Sequence, residues 1–218
     1  MPKAVDKRVI SPQMDGINQQ RKKICMNETL AAGRFLVAAP TMEDPVFGRT
    51  VVFLIGYEKE TGSLGVIINR ESNITLARAC KQYQFSCTAD GSRRLGWGGP
   101  VATSRGFIIH SPAVTGDPVI FESDTVAVGS SIEMLRDIAV GKGPEKSWIT
   151  LGCAGWTPGQ LEKEIQEGAW LLAPWCARTV FELPIGERYE AALATVGLET
   201  DVFADVPAAF RMTGVGHA

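Results

Sequence analysis

The hydrophobic positions along the chain change period several times, and each change predicts an element. Val51–Ile55 is apolar without alternation, the pattern of a strand covered on both faces. It lies in a β-rich run over Thr50–Tyr57, and a second such run covers Leu64–Asn69. Between them Glu58-Lys59-Glu60-Thr61-Gly62-Ser63 has the make-up of a hairpin loop. Upstream, Gly33–Ala38 reads as a strand that stops at Pro40. After Asn73-Ile74-Thr75, apolar Leu76, Ala79, Cys80 and Tyr83 recur at three and four, which predicts a helix. Ser86–Arg94 reads as a polar loop, Gly96-Trp97-Gly98-Gly99-Pro100-Val101 as a Gly/Pro turn, and Phe107–His110 as a short strand. Val119–Phe121 and Thr125–Val128 read as two strands around a Ser-Asp turn. Ser130 with Glu133 forms a capping box, opening a helix with Ile132, Leu135, Ile138 and Ala139 on one face and Gly141 as its stop. Trp148–Cys153 reads as a strand, Pro158–Glu167 as a helix and Trp170–Ala173 as a strand ended by Pro174. A last helix covers Arg188–Val196, with Tyr189, Ala192, Leu193 and Val196 inward.

Short strands interrupted irregularly by four modest helices lack the β-α-β-α rhythm of a doubly wound sheet, so the pattern predicts an α+β domain. At 218 residues, 45% hydrophobic and 21% charged, the chain has the balance of an ordinary globular protein. One domain over residues 29–218 is expected, preceded by a disordered or loosely attached leader over residues 1–28. The leader carries a net charge of +3; with −2 for the whole chain, the remainder is −5 and acidic. Asp6, Asp15 and Pro12 argue against a transit peptide. An acidic body predicts no specific binding to nucleic acid. The apolar runs are too short to span a membrane, and five scattered cysteines without a C-x-x-C pair suit a reducing, cytoplasmic setting.

The densest local signal is Leu151-Gly152-Cys153-Ala154-Gly155-Trp156-Thr157-Pro158-Gly159-Gln160-Leu161-Glu162. It reads as a strand end, a Gly-rich turn and a helix start. Thr157 is placed to cap, Pro158 to take the first helical position, and Gln160 to complete a T-x-x-Q box. Such starts present backbone N–H groups to an anion.

Five stretches together resemble the YqgE/AlgH family, a bacterial family described largely as uncharacterised and labelled in part as transcriptional regulators. They are Gly33–Pro40 with Asp44 and Phe47, Gly65–Arg70, Gly98-Gly99-Pro100-Val101 followed by Arg105–Ser111, Leu151–Glu162, and the closing Gly216-His217-Ala218. Arg70 stands where a lysine is common and Cys153 where an aromatic is frequent. The resemblance implies a bifurcated or barrel-like, mainly antiparallel sheet surrounded by helices.

The chemistry is sparse. His110 and Ser111 are adjacent, so on a strand they point to opposite faces and do not form a base–nucleophile pair. His110 is read as structural or binding. Two histidines and cysteines without finger spacing predict no metal and no cofactor. Asp44, Glu122, Asp124, Glu43 and Asp117 read as solvated loop acids. Gly98-Gly99-Pro100 is either a tight turn or a loop facing a ligand, without the lysine and serine of a P-loop. Trp97 and Trp156 each follow a glycine and either plug sheet ends or line a pocket.

The expectation that gathers these residues is a non-enzymatic regulatory or binding protein. One cleft would hold a small anionic ligand or a partner's acidic group. Its candidate residues are Asn69, Trp97, Gly98, Gly99, Arg105, His110, Gly155, Trp156, Thr157 and Gln160, with Arg105 supplying positive charge. The alternatives are a DNA-binding regulator and a hydrolase or transferase using His110.

Overall fold

In the computed structural model, which describes residues 29–112 and 118–198, a strand-rich chain folds around one long strand near its middle. In chain order the strands are β1 (Phe35–Ala38), β2 (Val51–Glu58), β3 (Gly62–Ile67), β4 (Glu71–Thr75), β5 (Arg94–Trp97), β6 (Val101–His110), β7 (Val119–Glu122), β8 (Ala127–Gly129), β9 (Ser147–Trp156) and β10 (Trp170–Ala173). The helices are α1 (Leu76–Gln82), α2 (Ile132–Ala139), α3 (Gln160–Gln166), α4 (Ala177–Phe181) and α5 (Arg188–Thr195), with a 3₁₀ turn over Ile185–Glu187.

The strands form one antiparallel path, β10-β1-β2-β3-β9-β6-β8-β7, from which β4 and β5 branch. The branch point is β9. Its end pairs with β3 (Ser63 opposite Trp156, Gly65 opposite Ala154), while Thr150 and Leu151 pair in parallel with Gly96 and Trp97 of β5. Along its other edge it pairs with β6. The sheet is bifurcated, as the resemblance implied, and no ladder from β10 to β7 closes it into a barrel. The domain is α+β.

Two apolar clusters follow from this geometry. The larger surrounds β1, β2 and β10, where Val51–Ile55 is buried at every position, as the unbroken apolar run predicts. Tyr189, Ala192, Leu193 and Val196 of the last helical segment join it. The smaller cluster lies where α1 and α2 cover Leu95, Ile108 and Ile149. Trp156 belongs to the larger cluster and Ile149 to the smaller, so β9 runs through both.

Several boundaries differ from those read in sequence. Gly96 and Trp97 are not in a turn but in β5, held by pairing with β9. β9 does not stop at Cys153; it continues to Trp156, paired with β3 over its last three residues, and takes Gly152 through the left-handed region at φ +79°, which favours glycine. The cap of α2 is Ser131, whose hydroxyl accepts the Met134 N–H at 3.1 Å, one residue later than Ser130. Ile132, placed on the inward face, is 43% exposed, and Met134 takes the buried position. α3 begins at Gln160, with Gly159 in the left-handed region as its N-cap. β4 and α4 carry too few residues to show a period. No helix among the described residues is long and apolar enough to cross a membrane.

Candidate functional site

The Thr157 segment does form the edge of a concavity, an open cleft of about 660 Å³ walled by the β2–β3 hairpin. Gly155, Trp156, Thr157 and Gln160 line it together with Tyr57 and Glu58. The polar groups there are spent on one another. Gln160 Oε1 accepts both the Thr157 N–H (3.0 Å) and the Thr157 hydroxyl (3.1 Å), which is one half of the expected capping box. The other half is missing, since Gly159 caps the helix. Behind them Glu164 is buried and takes three donors: Trp156 Nε1 at 3.0 Å, Trp170 Nε1 at 2.8 Å and Gln160 Nε2 at 2.9 Å. Tyr57 donates its hydroxyl to Glu162 at 2.9 Å, and that bond to a carboxylate, followed by burial, raises the phenol above its usual range.

The second group of expected residues lies elsewhere. Gly98 and Gly99 cross β9 at backbone-to-backbone contact. A Cβ on Gly98 would fall 2.2 Å from the Gly152 carbonyl oxygen, and one on Gly99 would fall 2.3 Å from the Cys153 carbonyl carbon. Gly98 also donates to Leu151 O (2.7 Å) and accepts from Ile67 N (2.8 Å). These glycines allow two backbones to pack. Trp97 pairs with Leu151, four residues before Gly155, and lies roughly 13 Å from it along the strand. Asn69 holds the start of β2, accepting from Val51 N at 2.8 Å and donating to Arg49 O at 2.9 Å. Arg105 lies over the Phe107 ring at 5.0 Å and reaches Ser130 Oγ at 3.4 Å. Trp97, Gly98, Gly99, Asn69, Arg105 and His110 do not line the Thr157 cleft, so the expected residues are not gathered in one place.

His110 is 1% exposed, with Nδ1 2.8 Å from Ser111 O and Nε2 without a partner. The Ser111 hydroxyl accepts from Lys146 N at 3.4 Å. The two side chains are engaged separately, as their alternation on a strand requires. Residues 1–28, Asp117 and Gly216–Ala218 lie outside the described residues.

A concavity the sequence did not announce lies between α1 and α2. It measures about 200 Å³. Leu95, Ile108, Ile149 and Leu151 form its floor on β5, β6 and β9; Ala79, Tyr83 and Leu135 stand on the helix sides. Thr103, Ser104, Ser130 and Ser131 place hydroxyl-bearing residues along its lining. Its lining contains no Asp, Glu, Lys, Arg, His or Cys. The signal available in sequence was a pair of amphipathic helices; that they meet over the same part of the sheet and leave a pocket there is a tertiary fact.

The AlgH-like family model matches residues 35–201. A UPF0301 protein from Chromobacterium violaceum is 38% identical over 186 residues, 84% of this chain and 95% of the relative. One from Laribacter hongkongensis is 39% identical over 180 residues, covering 80% and 94%. Among solved structures, the AlgH protein from Pseudomonas aeruginosa superimposes with a TM-score of 0.68 at 36% identity, over 86% of this chain and 95% of that one. Protein DIP2367 from Corynebacterium diphtheriae, at 22% identity and a TM-score of 0.63 over 76% and 87%, shares the fold. The chain belongs to the AlgH-like family, the YqgE/AlgH family that its motifs resemble.

Proposed function

We propose that this protein is a non-enzymatic binding protein whose ligand seats an apolar body between α1 and α2 and turns an anionic group toward Ser130 and Arg105. The composition of the α1–α2 pocket carries the reading: an apolar floor edged by hydroxyls, without the acids, histidine or thiol that proton transfer or covalent catalysis uses. At about 200 Å³ it is somewhat larger than the ~150 Å³ cavities that take up benzene, so the ligand is small. Ser130 lines the pocket and is within hydrogen-bond reach of Arg105, which gives one edge a cationic neighbour. A regulatory role follows naturally for a protein that senses such a ligand without transforming it.

Titration with hexanoate, followed by backbone amide shifts, tests the reading. Saturable changes at Leu95, Leu135 and Ile149 are expected, weakened in Arg105→Ala and abolished by Ala79→Leu, which fills the pocket. Hexanamide should bind less tightly than hexanoate. Changes spread over the surface, or none at these residues, would remove this pocket from consideration.

A further inference from the structure

Trp148, near the start of β9, has two guanidinium groups close to its ring. Arg188 Cζ lies 4.2 Å from its ring centroid and Arg93 Cζ lies 6.0 Å away, both within reach of a cation–π contact. Arg188 is only 4% exposed. It donates through Nη1 to Ile68 O (2.6 Å) and through Nε to Leu183 O (3.2 Å), while Arg93 donates through Nη2 to Ser147 O. All three acceptors are neutral carbonyls. Neither arginine forms an ion pair with a carboxylate among the described residues; Arg49–Glu190, Lys146–Glu182 and Lys163–Glu167 do.

This is an unusual state for two desolvated cations. Burial pushes Arg188 down to about 10, and the positive charge of Arg93 pushes in the same direction, with Glu71 opposing. Burial also lowers Arg93, with Asp90 opposing. Buried charges are ordinarily paired, because the desolvation of an isolated ion is costly. Here two like charges lie against one indole ring and repel each other, and among the described residues no carboxylate stands within ion-pair distance of either.

Both guanidiniums open onto the same space, a cleft of about 480 Å³ that shares no lining residue with the pocket between α1 and α2. Its charged lining is Arg93, Arg188, Lys146 and Glu145, of which Lys146 is held by Glu182 at 2.8 Å. Each guanidinium has five N–H donors, and these hydrogen bonds use two on Arg188 and one on Arg93. The remaining forks match the oxygens of a tetrahedral oxyanion, which two guanidiniums can hold from two sides.

We propose that Arg93 and Arg188, both set against Trp148 at one cleft, form a binding site for a dianionic phosphoryl group, carried by a small phosphorylated ligand or by free phosphate. The bound dianion supplies the missing counter-charge. The cleft is far wider than phosphate alone, which leaves room for the remainder of an ester. No bond is made or broken; the site binds.

The test uses the full chain at constant ionic strength, with chloride as the balancing salt. Inorganic phosphate and phenyl phosphate are titrated separately, and the Trp148 indole and Arg Nε–H signals are followed. A saturable shift of these signals is expected, with at least tenfold weaker binding in Arg93→Gln. Tighter binding of phenyl phosphate would assign the site to an ester, and equal binding to the free ion. Arg188 supports Ile68 and Leu183, so Arg93 is the residue to change. If Arg93→Gln does not fold, Arg93→Lys, which keeps the charge and loses the fork, should bind several-fold more weakly than the wild type. Phosphate shifts that do not saturate, or that are the same in the folded variant as in the wild type, overturn the proposal.

Discussion

At the scale of single residues, a few positions combine burial with an unambiguous chemical role. Glu164 is the clearest. Its Oε2 takes two indole N–H groups and its Oε1 an amide, so the carboxylate ties Trp156, Trp170 and α3 together. Glu164→Leu would strand two buried indole donors, and a loss of about 2–5 kcal/mol in denaturant unfolding is expected. Glu164→Gln keeps an acceptor and should cost less. Cys80 gives a chemical counterpart. It is buried in α1, and burial, followed by its contact with Cys87, raises its thiol to about 11. At pH 8 it should resist alkylation in the folded protein and react once the protein is unfolded, as peptide mass analysis would show. Because the folded value lies above the unfolded 9.0, folding favours the protonated thiol. Its contribution to stability is present below pH 9 and is lost as pH rises through about 11.

At the scale of elements, what was legible in sequence was what is decided locally. The helical period of Leu76, Ala79 and Cys80 gave α1, although Tyr83, the fourth position of that period, lies just past its end and is 41% exposed, and the unbroken run Val51–Ile55 gave the two-sided burial of β2. The inward face of α5 followed from Tyr189, Ala192 and Leu193. Gly98-Gly99-Pro100 does form the short connection between β5 and β6, but Gly96 and Gly155 were read as turn residues and lie in strands, for a reason the neighbouring glycines share. Glycine marks a turn in isolation, yet Gly98, Gly99 and Gly152 serve a crossing between segments more than fifty residues apart, which no local window contains. The same cause scattered the candidate site: motif residues near one another in the chain's logic were placed along β9 at different heights. Ser130 with Glu133 fits a capping box in sequence, yet the structure gives the cap to Ser131, and both serines line the pocket between α1 and α2. The crossing predicts that Gly152→Ala is severe, since its Cβ would sit 2.3 Å from Gly99 O in a left-handed conformation. A loss of roughly 3 kcal/mol or more is expected in urea unfolding. Gly141→Ala, also at positive φ but with nothing within 4 Å, should cost only about 1 kcal/mol.

At the scale of the whole molecule, the charge balance sets an expectation for partners. With −5 outside the first 28 residues, binding to DNA should be weak, independent of sequence and lost by about 200 mM salt. A footprint that survives that salt would restore the reading as a DNA-binding regulator. The branching of the sheet has a consequence for how the molecule comes apart. β9 hydrogen-bonds to three strands and contributes to both apolar clusters, so neither half keeps a complete sheet once it leaves. A protein built on such a branched sheet should melt in a single transition, without a half-molten species. Native-state amide exchange should find the same opening free energy at Val52 in one half and Ile108 in the other, with β9 among the last to admit deuterium.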